Sequence, residues 1–106
     1  MSHLTTHILD ATAGVPATGV AVTLVGPDGA ALASGQTDAD GRLALGPDAL
    51  EPGDYTLTFA TGPYFVAQGV EAFYPSVTVA FTVADRPHYH VPLLLSPFAY
   101  STYRGS

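Results

Sequence analysis

Histidines are the residues of this sequence best suited to proton transfer near neutral pH, because an unperturbed imidazole has a pKa of about 6.5. His88 and His90 lie two residues apart in the segment HYHVPLLL, residues 88–95. If this segment is a strand, both imidazoles face one side of it, with Cα atoms roughly 7 Å apart. Such a pair fits three interpretations: ordinary surface or interface histidines, two ligands of a metal ion, or partners in acid–base catalysis.

A third histidine, His7, lies among threonines in an N-terminal β-rich run. With His88 and His90 it could complete a three-histidine zinc site of the kind that some hydrolases use. The sequence has no cysteine, which excludes a thiolate ligand, a thiolate nucleophile and a disulfide framework. Nothing in the spacing fixes where His7 lies relative to the pair, so metal binding and metal-free acid–base catalysis both stay open.

Arginines are the second group of candidates, because the chain has only three basic side chains and all are arginines. Arg42 follows a tight turn, Asp38–Gly41, and begins a predicted strand. Arg104 lies in the C-terminal stretch Tyr103–Ser106, close to the terminal carboxylate. A guanidinium can bind a carboxylate, or a planar urea-like or imide oxygen, in fork geometry. The simpler interpretation of each is a solvated surface residue.

Motifs for other chemistries are absent from the sequence. It contains no Gly-x-Ser-x-Gly nucleophile elbow, no phosphate-binding loop and no dinucleotide fingerprint. Its carboxylates lie mostly in turns, where they favour turn geometry, and no close pair suited to glycoside hydrolysis can be picked out. Covalent catalysis is therefore unsupported.

Composition narrows the class of protein further. The chain has 106 residues, a size typical of one domain, and we expect a single domain over residues 1–106. It is 47% apolar and 11% charged, which excludes a disordered tail. The net charge of −6 argues against a nucleic-acid partner, and no apolar run approaches the roughly 20 residues that cross a bilayer. Without cysteine or a recognisable signal peptide, we expect a cytoplasmic location.

The elements that must position these residues are short strands separated by turns. Apolar residues alternate with polar ones, for example in 20–25, 54–60 and 76–83. Tyr64–Gln68 is predicted to form one or two helical turns that end at Gly69. Seven or eight strands with one short helix in about 100 residues predict an all-β protein, an antiparallel β-sandwich.

The strand that carries His88 and His90 has two apolar faces. Its odd positions, from Tyr89 to Leu95, suit the core, but Pro92 and Leu94 lie on the histidine side. A small sandwich has no helical layer to cover that outer face, so we predict that another subunit does, in a homo-oligomer. Because Pro92 has no N–H, we expect this strand to lie at a sheet edge or to be irregular there.

The sequence resembles the 5-hydroxyisourate hydrolases, the transthyretin-like enzymes of urate breakdown. The matching stretches are LTTHILD (4–10), TDADGR (37–42), FYP (73–75), HYHVPLLLSPF (88–98) and YSTYRGS (100–106). They run along the whole chain in the family's order. The terminal YRGS is the most discriminating, because it is similar to the signature that separates these hydrolases from transthyretin, the hormone carrier of the same fold. Ala99, where the family more often has Gly, and an undistinctive 11–18 loop are mild departures.

This resemblance implies a fold, a reaction and a site. It implies a transthyretin-like sandwich assembled as a homotetramer, a dimer of dimers, with active sites in the channel where dimers meet. It implies hydrolysis of a small-molecule substrate, 5-hydroxyisourate, with no cofactor and no metal. The residues carried over as catalytic are His7, Arg42, His90 and Ser106, and those carried over as substrate-binding are His88, Tyr103, Arg104 and Gly105. The alternative is a transthyretin-type small-molecule carrier that uses the same channel.

Overall fold

Nine strands and one short helix make up the computed structural model, which describes residues 2–106. The elements are β1 (Leu4–Asp10), β2 (Val15–Pro16), β3 (Ala21–Val25), β4 (Ala31–Gln36), β5 (Arg42–Leu45), β6 (Gly53–Phe59), α1 (Thr61–Val66), β7 (Val77–Val83), β8 (Tyr89–Ser96) and β9 (Ala99–Thr102). The predicted all-β class with one short helix is confirmed. The additional strand is β2, two residues long, in a segment predicted to be a loop. No helix in residues 2–106 has the length and apolar character needed to cross a membrane.

Two sheets form the sandwich. One has the order β2-β1-β8-β9, with β5 also paired to β1, and the other has the order β4-β3-β6-β7. All pairs are antiparallel except β1 with β8, which run parallel. The two strands of that parallel pair carry all the histidines predicted for the site except His88, which directly precedes β8.

The core lies between the inward faces of the sheets, as the alternating pattern predicts. Its fully buried side chains come from strands of both sheets and include Leu4, Ile8, Val22, Leu24, Leu57, Phe59 and Leu93. Each such side chain contributes roughly 1.5–3 kcal/mol relative to staying in water. On β8 the odd positions are buried, as predicted, and on the other face Leu94 is exposed and His90 half-buried, whereas Pro92 on that face is buried.

The helix begins three residues earlier than predicted. It starts at Thr61, and its second residue, Gly62, fits tightly against the Pro75 carbonyl, where a Cβ would lie 2.6 Å from the oxygen. Gly69 follows the helix with a φ of 68°, the left-handed conformation expected where a glycine stops a helix. The Tyr64 hydroxyl donates to Asp10 Oδ2 at 2.9 Å and so ties α1 to the end of β1.

Pro92 interrupts a ladder rather than marking a sheet edge. β8 lies between β1 and β9, so the expectation of an edge strand is wrong. The ladder between β8 and β9 ends at the pair Leu93–Thr102, and the Pro92 carbonyl accepts a hydrogen bond from the Thr102 hydroxyl at 2.7 Å. The expected irregularity is confirmed, because a proline has no N–H with which to continue the ladder.

Candidate active site

Strand register brings the predicted site residues to the outer face of the five-stranded sheet. Thr5 is the Cα partner of His90 in the parallel pair of β1 and β8. His7, two residues along the same face of β1, is the partner of Pro92 on one side and of Arg42 on the other. His7 and His90 are 83 positions apart in the sequence, and Arg42 lies between them. The pairing of β1 with β5 and with β8 makes the three residues neighbours.

The turn Asp38–Gly41 fixes the start of β5 and therefore Arg42. Asp38 Oδ1 accepts the N–H groups of Asp40 at 2.8 Å and Arg42 at 3.0 Å. Gly41 has a φ of 73°, and a Cβ there would lie 2.5 Å from the Ile8 carbonyl oxygen, so only glycine lets the turn lie against β1. The backbone hydrogen bonds from Arg42 and Asp40 lower the pKa of Asp38, and the Arg42 charge lowers it further.

The C-terminal residues lie against His90. The Gly105 N–H donates to the His90 carbonyl at 2.9 Å, which forms an isolated antiparallel bridge beyond the end of β9. A Cβ on Gly105 would lie 2.5 Å from Cδ2 of the His90 ring. The terminus can therefore pack on the imidazole only because residue 105 has no side chain, and this contact carries Ser106 into the site.

A pocket of about 370 Å³ is lined by four of the predicted residues, Arg42, His88, His90 and Ser106. Its other lining residues are Thr5, Thr6, Asp38, Leu43 and Ala44. His7 does not line it, but lies on the same sheet face beside Arg42. A guanidinium, two imidazoles and a hydroxyl-bearing terminus around one pocket can bind carbonyl oxygens and exchange protons.

Tyr103 and Arg104 lie in a different depression from Arg42. They line a groove of about 270 Å³ next to residues 79–82 of β7, together with Val91 and Thr102. His90 lines both this groove and the pocket that holds Arg42. Within one protomer these two substrate-binding candidates therefore do not line the pocket that holds Arg42, and His90 is the residue common to both depressions.

The pKa of the His90 imidazole is changed by this environment. Burial lowers the pKa of His90 below its ordinary value, and the charges of Arg42, His88 and His7 lower it further. The His88 and His90 rings are stacked, with centroids 6.4 Å apart. A lowered pKa keeps the imidazole neutral at physiological pH, and a neutral imidazole has a nitrogen lone pair that can accept a proton.

Thr5 belongs to the site, although sequence analysis did not select it. Its Oγ1 lies 2.8 Å from His90 Nδ1 and 2.9 Å from His88 Nε2, so one hydroxyl bridges the two imidazoles. A threonine among other threonines gives no signal of such a role. Only the pairing of β1 with β8, across 85 residues of chain, reveals it.

The remaining histidine, His3, has a structural environment. It is buried, its Nδ1 accepts the Leu50 N–H at 2.9 Å, and its Nε2 donates to the Arg86 carbonyl at 2.7 Å. Both ring nitrogens are therefore engaged by backbone groups. Among residues 2–106 there is no group of three or more His, Cys, Asp or Glu side chains placed to hold a metal ion.

The chain is similar in sequence and in structure to known proteins. The family model described as "HIUase/Transthyretin family" matches residues 4–105. The 5-hydroxyisourate hydrolase of Caulobacter vibrioides is 49% identical over the full length of both chains. The structure of Klebsiella pneumoniae 5-hydroxyisourate hydrolase superposes with a TM-score of 0.91 at 43% identity, over 99% of this chain and 100% of that one. Sea bream transthyretin in complex with thyroxine gives a TM-score of 0.90 at 34% identity, over 97% and 94% of the two chains.

Proposed function

This chain belongs to the HIUase/transthyretin family, and we propose from that membership that it is a 5-hydroxyisourate hydrolase of urate breakdown. In this proposal residues 1–106 act as one hydrolase domain. The product is 2-oxo-4-hydroxy-4-carboxy-5-ureidoimidazoline. The observation that carries the proposal is the pocket in which Arg42, His88, His90 and Ser106 meet, because a carrier of an apolar hormone needs no such polar set.

The proposed reaction is hydrolytic opening of the six-membered ring. A water molecule attacks a ring carbonyl carbon, a C–O bond forms, and the adjacent C–N bond then breaks. One water proton must pass to a general base, and the leaving ring nitrogen must gain a proton. Each transfer is typically worth 10²–10⁴-fold in rate when a positioned side chain performs it.

The side chains divide this work by their chemistry. His7 and His90 hold the attacking water, and the neutral form of His90 suits it to accept the proton. Arg42 holds substrate carbonyl oxygens and stabilises the negative charge that develops on the attacked one. Ser106 adds a polar contact at the chain end, while His88, Tyr103, Arg104 and Gly105 bind substrate or hold the terminus in place. No metal ion or cofactor takes part.

We also propose that the protein works as a homotetramer, a dimer of dimers. Leu94 is exposed on the same sheet face as His90, with 36% of its surface accessible, and contact with another copy would remove this apolar side chain from water. The proposed active sites then lie where two dimers meet. The substrate is a small molecule, and the net charge of −6 gives nucleic acid no basic surface to bind. The cytoplasmic location stays a prediction.

The carrier function is the second candidate, because transthyretin shares the fold. The two functions are separated by following the absorbance of freshly made 5-hydroxyisourate with and without the purified protein. We expect the protein to accelerate the decay well beyond spontaneous hydrolysis, with the same rate after treatment with a chelator. No acceleration, together with tight binding of thyroxine, would establish the carrier instead. A loss on chelation that only zinc restores would revive the three-histidine metal site.

A further inference from the structure

We propose that Thr5 is a positioning residue that holds the proton of His90 on Nδ1 and so leaves Nε2 as the proton acceptor. This inference rests on the proposed function, since it assigns the general base of that reaction. It starts from the hydroxyl that lies 2.8 Å from His90 Nδ1 and 2.9 Å from His88 Nε2. Both distances are typical of hydrogen bonds, so both contacts need a donor and an acceptor.

The number of protons on a hydroxyl restricts how the three groups can bond. A threonine O–H can donate one hydrogen bond and accept others. It can therefore donate to at most one of the two imidazoles, and any imidazole that it does not donate to must donate an N–H to it. With neutral rings three arrangements result: His90 donates from Nδ1 and the hydroxyl donates to His88, or His88 donates from Nε2 and the hydroxyl donates to His90, or both rings donate to the hydroxyl, which accepts twice.

These arrangements differ in the chemistry that they give His90. In the first and the third, His90 has its proton on Nδ1 and a lone pair on Nε2, as a general base requires. In the second, Nε2 carries the proton and cannot accept another. Within residues 2–106 no hydrogen bond reaches His90 Nε2, so that nitrogen is left for water or substrate. His88 is exposed, so in the first arrangement solvent can satisfy its Nδ1–H.

With its proton on Nδ1, His90 can both accept the water proton and deliver it to the leaving nitrogen. His90 Nε2 takes a proton from the attacking water as the C–O bond forms, and the ring becomes an imidazolium whose Nδ1–H still donates to Thr5. Nε2 then gives this proton to the ring nitrogen as the C–N bond breaks. His90 returns to its starting form, and Thr5 holds the same Nδ1–H throughout. The logic is that of the partner that orients the histidine in a catalytic triad.

The test compares Thr5→Val, which keeps the shape and removes the hydroxyl, with Thr5→Ser, which keeps the hydroxyl. The first readout is the nitrogen-15 spectrum of the His90 ring in the substrate-free protein. We expect protonated Nδ1 in the wild type and in Thr5→Ser, and a shift of the proton towards Nε2 in Thr5→Val. A ring spectrum of Thr5→Val equal to that of the wild type would overturn the inference.

The second readout is steady-state hydrolysis of 5-hydroxyisourate. We expect kcat of Thr5→Val to fall by about 10-fold to 100-fold, as when the hydrogen-bond partner of a metal-binding histidine is removed, with KM little changed. Thr5→Ser should restore most of kcat. Equal losses in both variants would show that the methyl group matters rather than the hydroxyl, and would also overturn the inference. An inactive wild type would instead refute the proposed function, while the ring spectra would still report on Thr5.

Discussion

Replacing His90 with alanine is expected to lower kcat/KM for 5-hydroxyisourate by about 10²-fold or more, the usual effect of losing a general base. Three parts of the site contact this imidazole or lie beside it. The Thr5 hydroxyl is hydrogen-bonded to its Nδ1, Gly105 packs on its ring, and it lines the same pocket as Arg42. Truncation removes the group that accepts the water proton and also the surface on which the chain end rests.

This loss must be separated from unfolding. His90 lies on the outer face of β8 and is only half-buried, so we expect its removal to change the melting temperature little. A melting curve of each preparation provides the check. If purified, folded His90→Ala turned over substrate at the wild-type rate, His90 would have no part in the mechanism.

Replacing Arg42 with alanine is also expected to lower kcat/KM by about 10²-fold or more, because it removes the cation that stabilises the developing oxyanion. It also has a pH signature. The Arg42 charge contributes to the lowered pKa of His90, after burial, while His88 and His7 act in the same direction. Activity that depends on neutral His90 falls as the pH drops through its pKa. Without Arg42 that pKa rises, so the acidic limb of the kcat/KM profile should move to higher pH.

Arg86→Ala is the matched control, since it removes an exposed arginine from the turn before β8. Only the backbone carbonyl of Arg86 contacts His3, and that group remains in the variant. The control should keep the wild-type rate and pH profile. An Arg42→Ala enzyme with a normal rate would show that Arg42 does not stabilise the oxyanion. An acidic limb that does not move would show that its charge does not act on His90.

Much of this fold could be predicted because its signals are local. Alternation assigns the faces of the strands, so the buried odd positions of β8 and the exposed Leu94 follow from the sequence. The turn before Arg42 follows from residue types with strong turn preferences. The ladder interruption at Pro92 follows from its missing N–H, although the interior position of β8 does not.

What the sequence could not show depends on contacts between distant segments. Local patterns do not state that β1 pairs parallel to β8, and this pairing alone brings Thr5 to His88 and His90. The tight contact of Gly62, at the start of α1, with the Pro75 carbonyl also joins residues thirteen positions apart. The split of the C-terminal stretch, with Ser106 in one pocket and Arg104 in another groove, likewise depends on how the chain end crosses His90.

The central claim is that side chains from β1, β5 and β8 act as one catalytic unit. The most direct test is kcat/KM of the double variant His90→Ala/Arg42→Ala beside the two single variants. Groups that act together in one transition state give losses that do not multiply. We therefore predict a double variant within about tenfold of the slower single variant. A double loss equal to the product of the two single losses would contradict a shared site and leave two independent effects.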